Sequence, residues 1–349
     1  MKNILAEFSQ RDGAPVVEEC LMDVQDFPNT EIGVQIPRSV RGRDAILIQC
    51  PCPYQGRTLD SAVREFALAC DALFRASVAR ITGILTMFPY QRQERKDRPR
   101  TSISAKRIAA EIEAAMGNVG EKRVVSLDLH APAIQGFFEI PFDALSANTE
   151  LAPSVAAARY FTVVSPDVGG APRAEAFVHL LEDYRDVQGG DPEVQMAVIY
   201  KRRRGPERVE VAWVTGAHVL KDRDVVIIDD IFATGGTARE AGEKCRELGA
   251  RRVAFAATHA ECSGSAGQKL DIFDDVFLTD SLPADRLPQP LPLNWHIVSV
   301  APLLSDAIVQ IVDHGTVSGL EARRPALVRP STSPQEEVPA SPGAGRVGS

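Results

Sequence analysis

The segment VVIIDDIFATGGTA, residues 225–238, holds the residue types best suited to chemistry. Four apolar residues lead into Asp229 and Asp230, and a short turn then opens a helix-like run, AREAGEKCRELGA. Successive backbone N–H groups in a glycine turn before a helix N-terminus form an anion nest suited to a phosphate monoester. Two carboxylates at the mouth of that turn can accept hydrogen bonds from neighbouring sugar hydroxyls. Amides for a phosphate and carboxylates for a diol describe a ribose 5-phosphate site built from Asp229, Asp230, Thr234, Gly235, Gly236 and Thr237. The plainer alternative is a surface turn whose aspartates cap the helix. The four strand-type residues before the pair and the TGGT after it argue against that.

Such a turn needs a buried strand behind it, and the chain supplies several. AILIQC (45–50) precedes LDSAVREFALACDALFRA, whose apolar positions recur at helical spacing. ITGILTMF (81–88) is followed by a basic loop and SAKRIAAEIEAAM, then by RVVSLDLH (123–130). FTVVSPDVGG (161–170) leads into RAEAFVHLLEDY, and MAVIYK, VEVAWVTG, DVVIIDD, RVAFAATH and DVFLTD complete the strand candidates. Strands alternating with helices indicate an α/β protein with mostly parallel sheets. Ligands bind such sheets outside the carboxyl ends of the strands, where DLH, SPDVGG, DDIFATGG and THAECSG all fall. The pattern divides into two domains, 1–150 and 151–304, with 305–322 returning to the first. Residues 323–349, rich in Pro, Ser, Ala and Gly, are expected to form a disordered tail.

The 349 residues suffice for two cores, and the composition is globular, 44% hydrophobic and 25% charged. A net charge of −8 argues against general nucleic-acid binding but leaves room for an anionic small ligand. No apolar run approaches the roughly 20 residues of a membrane span, and MKNILAEFSQRDG lacks a signal-peptide core, so a cytoplasmic address is expected. The six cysteines show neither a disulfide framework nor a zinc spacing, although Cys50 and Cys52 stand two apart. Two local basic clusters remain, RQERKDRPR (92–100) and KRRRG (201–205).

The strand–DD–turn–helix unit resembles the ribose-phosphate motif of type I phosphoribosyltransferase folds. FPYQRQERKDRPRTSISAKRIA (88–109), SLDLHAPAIQGFFEIPFDAL (126–145), VVSPDVGGAPRA (163–174) and ATHAECSGSA (257–266) resemble the ribose-phosphate diphosphokinase family, also called phosphoribosyl pyrophosphate synthetases. DFPNTEIGVQIPRSVRGRD (26–44) and VSVAPLLSDAIVQI (298–311) look like that family's early segment and closing helix. The resemblance implies two phosphoribosyltransferase-like domains and Mg²⁺-dependent transfer of a diphosphoryl group from ATP to ribose 5-phosphate. It implies ATP contacts from Arg92, Gln93, Lys96 and Asp97, with Phe27, Asn29 and Glu31 reaching the adenine of a neighbouring subunit. It further implies His130 and Asp167 beside the metal, Gly169 and Gly170 along the diphosphate, and Lys201 with Arg203 as a mobile catalytic pair. A homo-oligomer built on dimers, possible as a hexamer, follows from the same resemblance, with no nucleic-acid or membrane partner.

Departures from that family pattern are informative. Its turn carries a third acid, DDxxDTxGT, where this chain has Ala233. The usual glycine-containing strand–turn–helix start is missing, and CPYQGRTLDSAVRE (52–65) lacks an Asn-rich turn. A silent regulatory homologue and a diphosphokinase for another sugar phosphate are the alternative readings.

Overall fold

The computed structural model describes residues 2–9, 16–54, 56–187, 193–203, 209–263 and 266–322. The tail expected over 323–349 therefore lies outside the described residues. Helix α1 (Lys2–Ser9) comes first, then an antiparallel hairpin of β1 (Asp23–Asp26) and β2 (Ile32–Gln35). There follow β3 (Asp44–Gln49), α2 (Leu59–Arg75), β4 (Arg80–Leu85), α3 (Ser104–Ala115), β5 (Glu121–Leu127) and β6 (Phe142–Leu145). These four strands form one parallel sheet in the order β3-β4-β5-β6.

Helix α2 starts where the Thr58 side chain accepts a hydrogen bond from Ser61 N at 3.1 Å, a standard N-cap. Its apolar residues Phe66, Cys70 and Leu73 recur at helical spacing and face Ile81, Leu85 and Val124 together with α3. Burying a ring such as Phe66, 1% exposed, contributes about 1.5–3 kcal/mol. Gly83 in β4 leaves it room, because a Cβ there would lie 2.8 Å from Phe66 Cζ. On the opposite face, Ile84, Val125 and Leu127 pack against Ile4 of α1 and against Leu303, Leu304 and Ile308 of α7 (Ala301–Val312). The sheet is thus covered on both sides, which is why its strands read as continuous apolar runs.

The second sheet is built from β7 (Thr162–Ser165), β8 (Gln195–Arg203), β9 (Val209–Thr215), β10 (Asp224–Phe232), β11 (Arg252–Ala260), β12 (Asp275–Thr279) and β13 (Trp295–Val298). Their order is β13-β12-β11-β10-β7-β8-β9. Val163, Val226 and Ile228 face α4 (Asn148–Ala157) and α5 (Ala171–Val187), whereas Val164, Val225 and Ile227 face α6 (Gly236–Glu247). Among the described residues no helix is long and apolar enough to cross a membrane.

Three local readings need correction. MAVIYK does add a parallel strand, β8 beside β7, but VEVAWVTG does not: β9 turns back and pairs antiparallel with β8 as a hairpin. Asp229 and Asp230 do not end β10, which continues to Phe232 through pairing of Ile231 and Phe232 with His259 and Ala260 of β11. His130 does not end β5 either: the strand stops at Leu127, and Asp128, at φ 32°, turns the chain away.

The two sheets point their carboxyl ends at each other. Thr258 Oγ1 of β11 donates to Asp128 Oδ2 at 2.6 Å, and the fully buried His259 ring lies 3.2 Å from Leu127 O. Ser146 Oγ and Ala147 N also donate to Asp128, so this acid is held by both halves.

Candidate active site

Pairing of β10 with β7 covers only Val225–Ile227, so beyond it the β7 side of β10 is open. Asp229 and Asp230 lie on that stretch. The turn after β7 borders it: Gly170 N donates to Asp167 Oδ1 at 2.9 Å, and Ser165 Oγ donates to Asp167 O at 2.6 Å. Gly170 cannot be enlarged cheaply, since a Cβ would meet Ser165 Oγ at 2.9 Å. From the first turn of α5, the Arg173 guanidinium reaches both acids, 3.7 Å from Asp229 Oδ1 and 3.4 Å from Asp230 Oδ2.

The loop after β5 of the other sheet supplies His130. Its Nδ1 lies 2.7 Å from Asp230 Oδ2, and its backbone N–H donates to the buried Gln91 Oε1 at 2.8 Å. The hydrogen bond to Asp230 raises the His130 pKa, against an opposing effect of burial, and the charges of Asp230 and Glu94 add to it. Burial alone would push the Asp230 carboxyl up; the His130 hydrogen bond and the Arg173 charge outweigh it and hold Asp230 well below the usual carboxylate range. Asp229 is driven the opposite way, upward, by burial and by the negative charge of Asp230. The two neighbouring acids therefore differ sharply in proton affinity.

Lys201 of β8 completes the cluster. Its Nζ lies 3.9 Å from Glu240 Oε2 of α6, and burial lowers its pKa while Glu240, Asp167 and Asp229 pull the value back up. One lysine thus senses the turn after β7, the acids of β10 and the start of α6.

The glycine turn has the geometry of an anion cradle. Gly235 sits at φ 74°, and a Cβ on it would lie 3.0 Å from Phe232 Cε2 and 3.2 Å from Ala266 O. Gly236 opens α6, and a Cβ on it would meet nothing within 4 Å. The first N–H groups of a helix have no intrahelical acceptor, so this end is free to bind an anion. Thr234 and Thr237 are exposed beside it.

Comparison with known proteins gives the family. A family model described as the N-terminal domain of ribose phosphate pyrophosphokinase matches residues 9–116, and a phosphoribosyl transferase domain model matches 149–293. A ribose-phosphate pyrophosphokinase of Campylobacter jejuni is 36% identical over 301 residues, covering 85% of this chain and 89% of the relative. One from Pasteurella multocida is 38% identical over 304 residues, covering 84% and 89%. The chain belongs to the ribose-phosphate pyrophosphokinase family. A crystal structure of phosphoribosylpyrophosphate synthetase from Mycobacterium smegmatis superposes with a TM-score of 0.73 at 34% identity, covering 90% of this chain and 95% of that one.

Within the chain, the expected residues fall into three groups. His130, Asp167, Lys201, Asp229 and Asp230 share one electrostatic cluster, with Gly169 and Gly170 in its wall. Asp230 does not stand open at the turn, however: it is 3% exposed and already held by His130 and Arg173. Arg203 lies in β8, and its side chain is outside the described residues.

The basic loop forms the second group. Arg92 NH2 lies 3.8 Å from Glu261 Oε2 across the junction of the halves. Gln93 Oε1 accepts a hydrogen bond from Ser104 Oγ at 2.8 Å, which ties the loop to the start of α3. Lys96 is exposed, and Asp97 pairs with Arg98 at 3.8 Å. In the third group, Phe27, Asn29 and Glu31 make their hydrogen bonds within the β1–β2 hairpin, with Phe27 N donating to Glu31 O and Glu31 N to Asn29 Oδ1.

Sequence reasoning missed Arg173, Asp128, Gln91, Glu94 and Glu261. Arg173 had a signal, since it lies in the same VVSPDVGGAPRA stretch as Asp167. Asp128 shares the DLH triplet with His130.

Proposed function

We propose that this chain is a ribose-phosphate diphosphokinase, transferring the β,γ-diphosphoryl group of ATP to the anomeric hydroxyl of ribose 5-phosphate and releasing AMP. One observation carries the reading: His130, just past the end of the first sheet, meets Asp230 of the second at 2.7 Å, beside Asp229, Arg173 and Lys201. A nucleotide held by one half and a sugar phosphate held by the other would meet at that seam. The 5-phosphate fits the N–H groups of the turn 233–237, and Asp229 is placed to accept from the sugar hydroxyls. Loop residues Arg92 and Lys96 suit the nucleotide.

Phosphoryl transfer of this kind needs positioning and neutralisation of charge more than covalent help. Lys201 fits that task, because its ammonium faces the seam from a side chain only 13% exposed. Arg203 stands two residues further along β8. Arg173 balances the paired acids, so that the sugar site is not a bare double negative charge.

The residues present also suit Mg²⁺. That ion uses one or two carboxylates, waters and substrate phosphates rather than a full protein cage. Among the described residues no three His, Cys, Asp or Glu groups gather closely enough to hold a metal by themselves. Gly170 occupies one Asp167 oxygen and leaves the other, and His130 uses Nδ1 on Asp230 and leaves Nε2. Asp167 and His130 would hold the ion, which when bound would neutralise charge on the nucleotide phosphates. Phe27, 40% exposed and hydrogen-bonded only within its hairpin, suits contact with a neighbouring subunit's nucleotide, which makes the working form a homo-oligomer.

The test is chromatographic measurement of AMP formed from ATP and Mg²⁺ with and without ribose 5-phosphate. Stoichiometric AMP and phosphoribosyl pyrophosphate are expected only with all components. Absence of both products under saturating conditions would overturn the proposal.

A further inference from the structure

The Cys-Pro-Cys-Pro segment, residues 50–53, follows β3 directly and takes no part in the site above. Cys52 N donates to Cys50 O at 2.9 Å, a bond between residues two apart that closes a γ-turn around Pro51. The proline ring holds φ near about −65°, close to the roughly −75° an inverse γ-turn requires, so the turn is pre-set by covalent structure. Both thiols leave it on the same side, with Cys50 Sγ 3.6 Å from Cys52 Sγ. A disulfide needs about 2.05 Å, so bond formation requires an approach of only about 1.5 Å.

The surroundings favour reaction at this pair over Cys70, Cys245 and Cys262. Cys50 donates its S–H to Cys52, which pushes Cys50 up and draws Cys52 below the ordinary thiol range; burial opposes the second shift and the Arg286 charge assists it. Burial instead drives Cys70 and Cys245 up to about 12 and Cys262 up to about 11. The thiolate is the reactive form, so those three are poor competitors. Cys52 is buried, whereas Cys50 is partly exposed and gives a small oxidant its approach.

The pair also sits at the seam between the halves. Cys52 packs with Met87 of the first half and Leu282 of the second. Arg286 donates to the carbonyl of Pro53 and to that of Glu261, whose side chain faces Arg92.

We propose that Cys50 and Cys52 are a redox-active dithiol, converted to a disulfide by peroxide-class oxidants and restored by thiol reductants. In the first step one sulfur attacks a peroxide oxygen, the O–O bond breaks, and one water leaves as a sulfenic acid forms. The second sulfur then attacks the sulfenic sulfur, the S–O bond breaks, and a second water leaves. Two thiols lose two electrons and two protons, and one peroxide becomes two waters. The bridge moves Cys52 and Pro53, and with them the Arg286 contacts across the seam.

The test uses the full, reduced chain treated with hydrogen peroxide and followed by intact mass, thiol titration and peptide mapping. Expected are a mass loss of about 2 Da, the disappearance of two thiols, a bridged peptide spanning 50–52, and recovery with dithiothreitol. Cys50→Ser and Cys52→Ser should each abolish the mass loss while leaving Cys70 and Cys245 unreacted. A bridge elsewhere overturns the proposal. So does oxygen addition without bridging, or a pair that stays reduced while a reference dithiol oxidises. These readouts do not depend on which reaction the enzyme catalyses.

Discussion

Replacing Lys201 with alanine removes the one described cation that faces Asp167, Asp229 and Glu240 together. Its side chain is 13% exposed, so solvent screens its charge far less than it would a surface lysine's. If the ammonium acts where charge builds on the transferring group, its loss costs about 2.7–4 kcal/mol of transition-state stabilisation, or 10²–10³ in kcat. KM for either substrate should change far less, because the proposed ground-state contacts are those of the turn 233–237 and the loop near Arg92. Initial rates of AMP formation at saturation separate the two effects. Burial lowers the lysine pKa, so the alkaline fall in kcat should begin below the ordinary value of 10.5. A Lys201→Arg variant that retains activity should lose that limb, since a guanidinium keeps its proton. Turnover within about threefold of the parent in Lys201→Ala, or a rise in KM at constant kcat, would refute the role.

Three shorter predictions concern other parts of the site. His130 has a folded pKa raised mainly by its bond to Asp230, so it adds stability below its ordinary value of 6.5 and loses that contribution as pH rises through the folded value. In urea titrations His130→Ala should therefore lose about 1 kcal/mol more at acidic than at alkaline pH, a figure kept small because the side chain is 41% exposed; equal losses would contradict this. Gly235→Ala places a Cβ at φ 74° against Phe232 and Ala266, which should cost about 1–3 kcal/mol in urea and raise KM for the sugar phosphate; unchanged values would mean the turn is pliant. Ala233→Asp restores a carboxylate at the mouth of the turn and should raise kcat/KM for ribose 5-phosphate roughly ten- to a hundredfold. That corresponds to about 1.5–3 kcal/mol for a hydrogen bond to a charged group. No gain, with the parent preferring another pentose phosphate, would shift the acceptor assignment.

Much of the fold was legible because its strands are buried on both faces. A strand such as β10, with Val225–Ile228 fully buried, must be apolar throughout, and that run stands out in the chain. The amphipathic helices were equally plain, as in the stripe of α2. The elements that escaped are short or atypical. β6 and β13 have four residues each, and α4 carries Pro153 in its interior, a residue that ordinarily argues against a helix. The antiparallel turn-back of β8 and β9 escaped as well, since strand composition does not state direction.

The site was legible as a set of strand ends but not as a set of partners. Residues of a suitable type near strand ends drew attention to His130, Asp167 and Asp229, because a parallel sheet leaves its carboxyl edge free for ligands, although β5 stops before His130 and β10 runs on past Asp229. Nothing local to Asp230 says that its carboxylate is taken. Its partner His130 lies one hundred residues earlier, in the other half of the chain, and its second partner Arg173 lies on a helix between them. The same holds for Asp128 and Thr258, which meet across 130 residues. Such pairs exist because the two sheets point their carboxyl ends at each other, while α7 and α1 close over the first sheet. A carboxylate read as free for a sugar hydroxyl is therefore, in the folded chain, one a substrate must share with His130 and Arg173. Asp229, whose side chain is 19% exposed against 4% for Asp230 and which Arg173 approaches less closely, is the acid better placed to receive a hydroxyl.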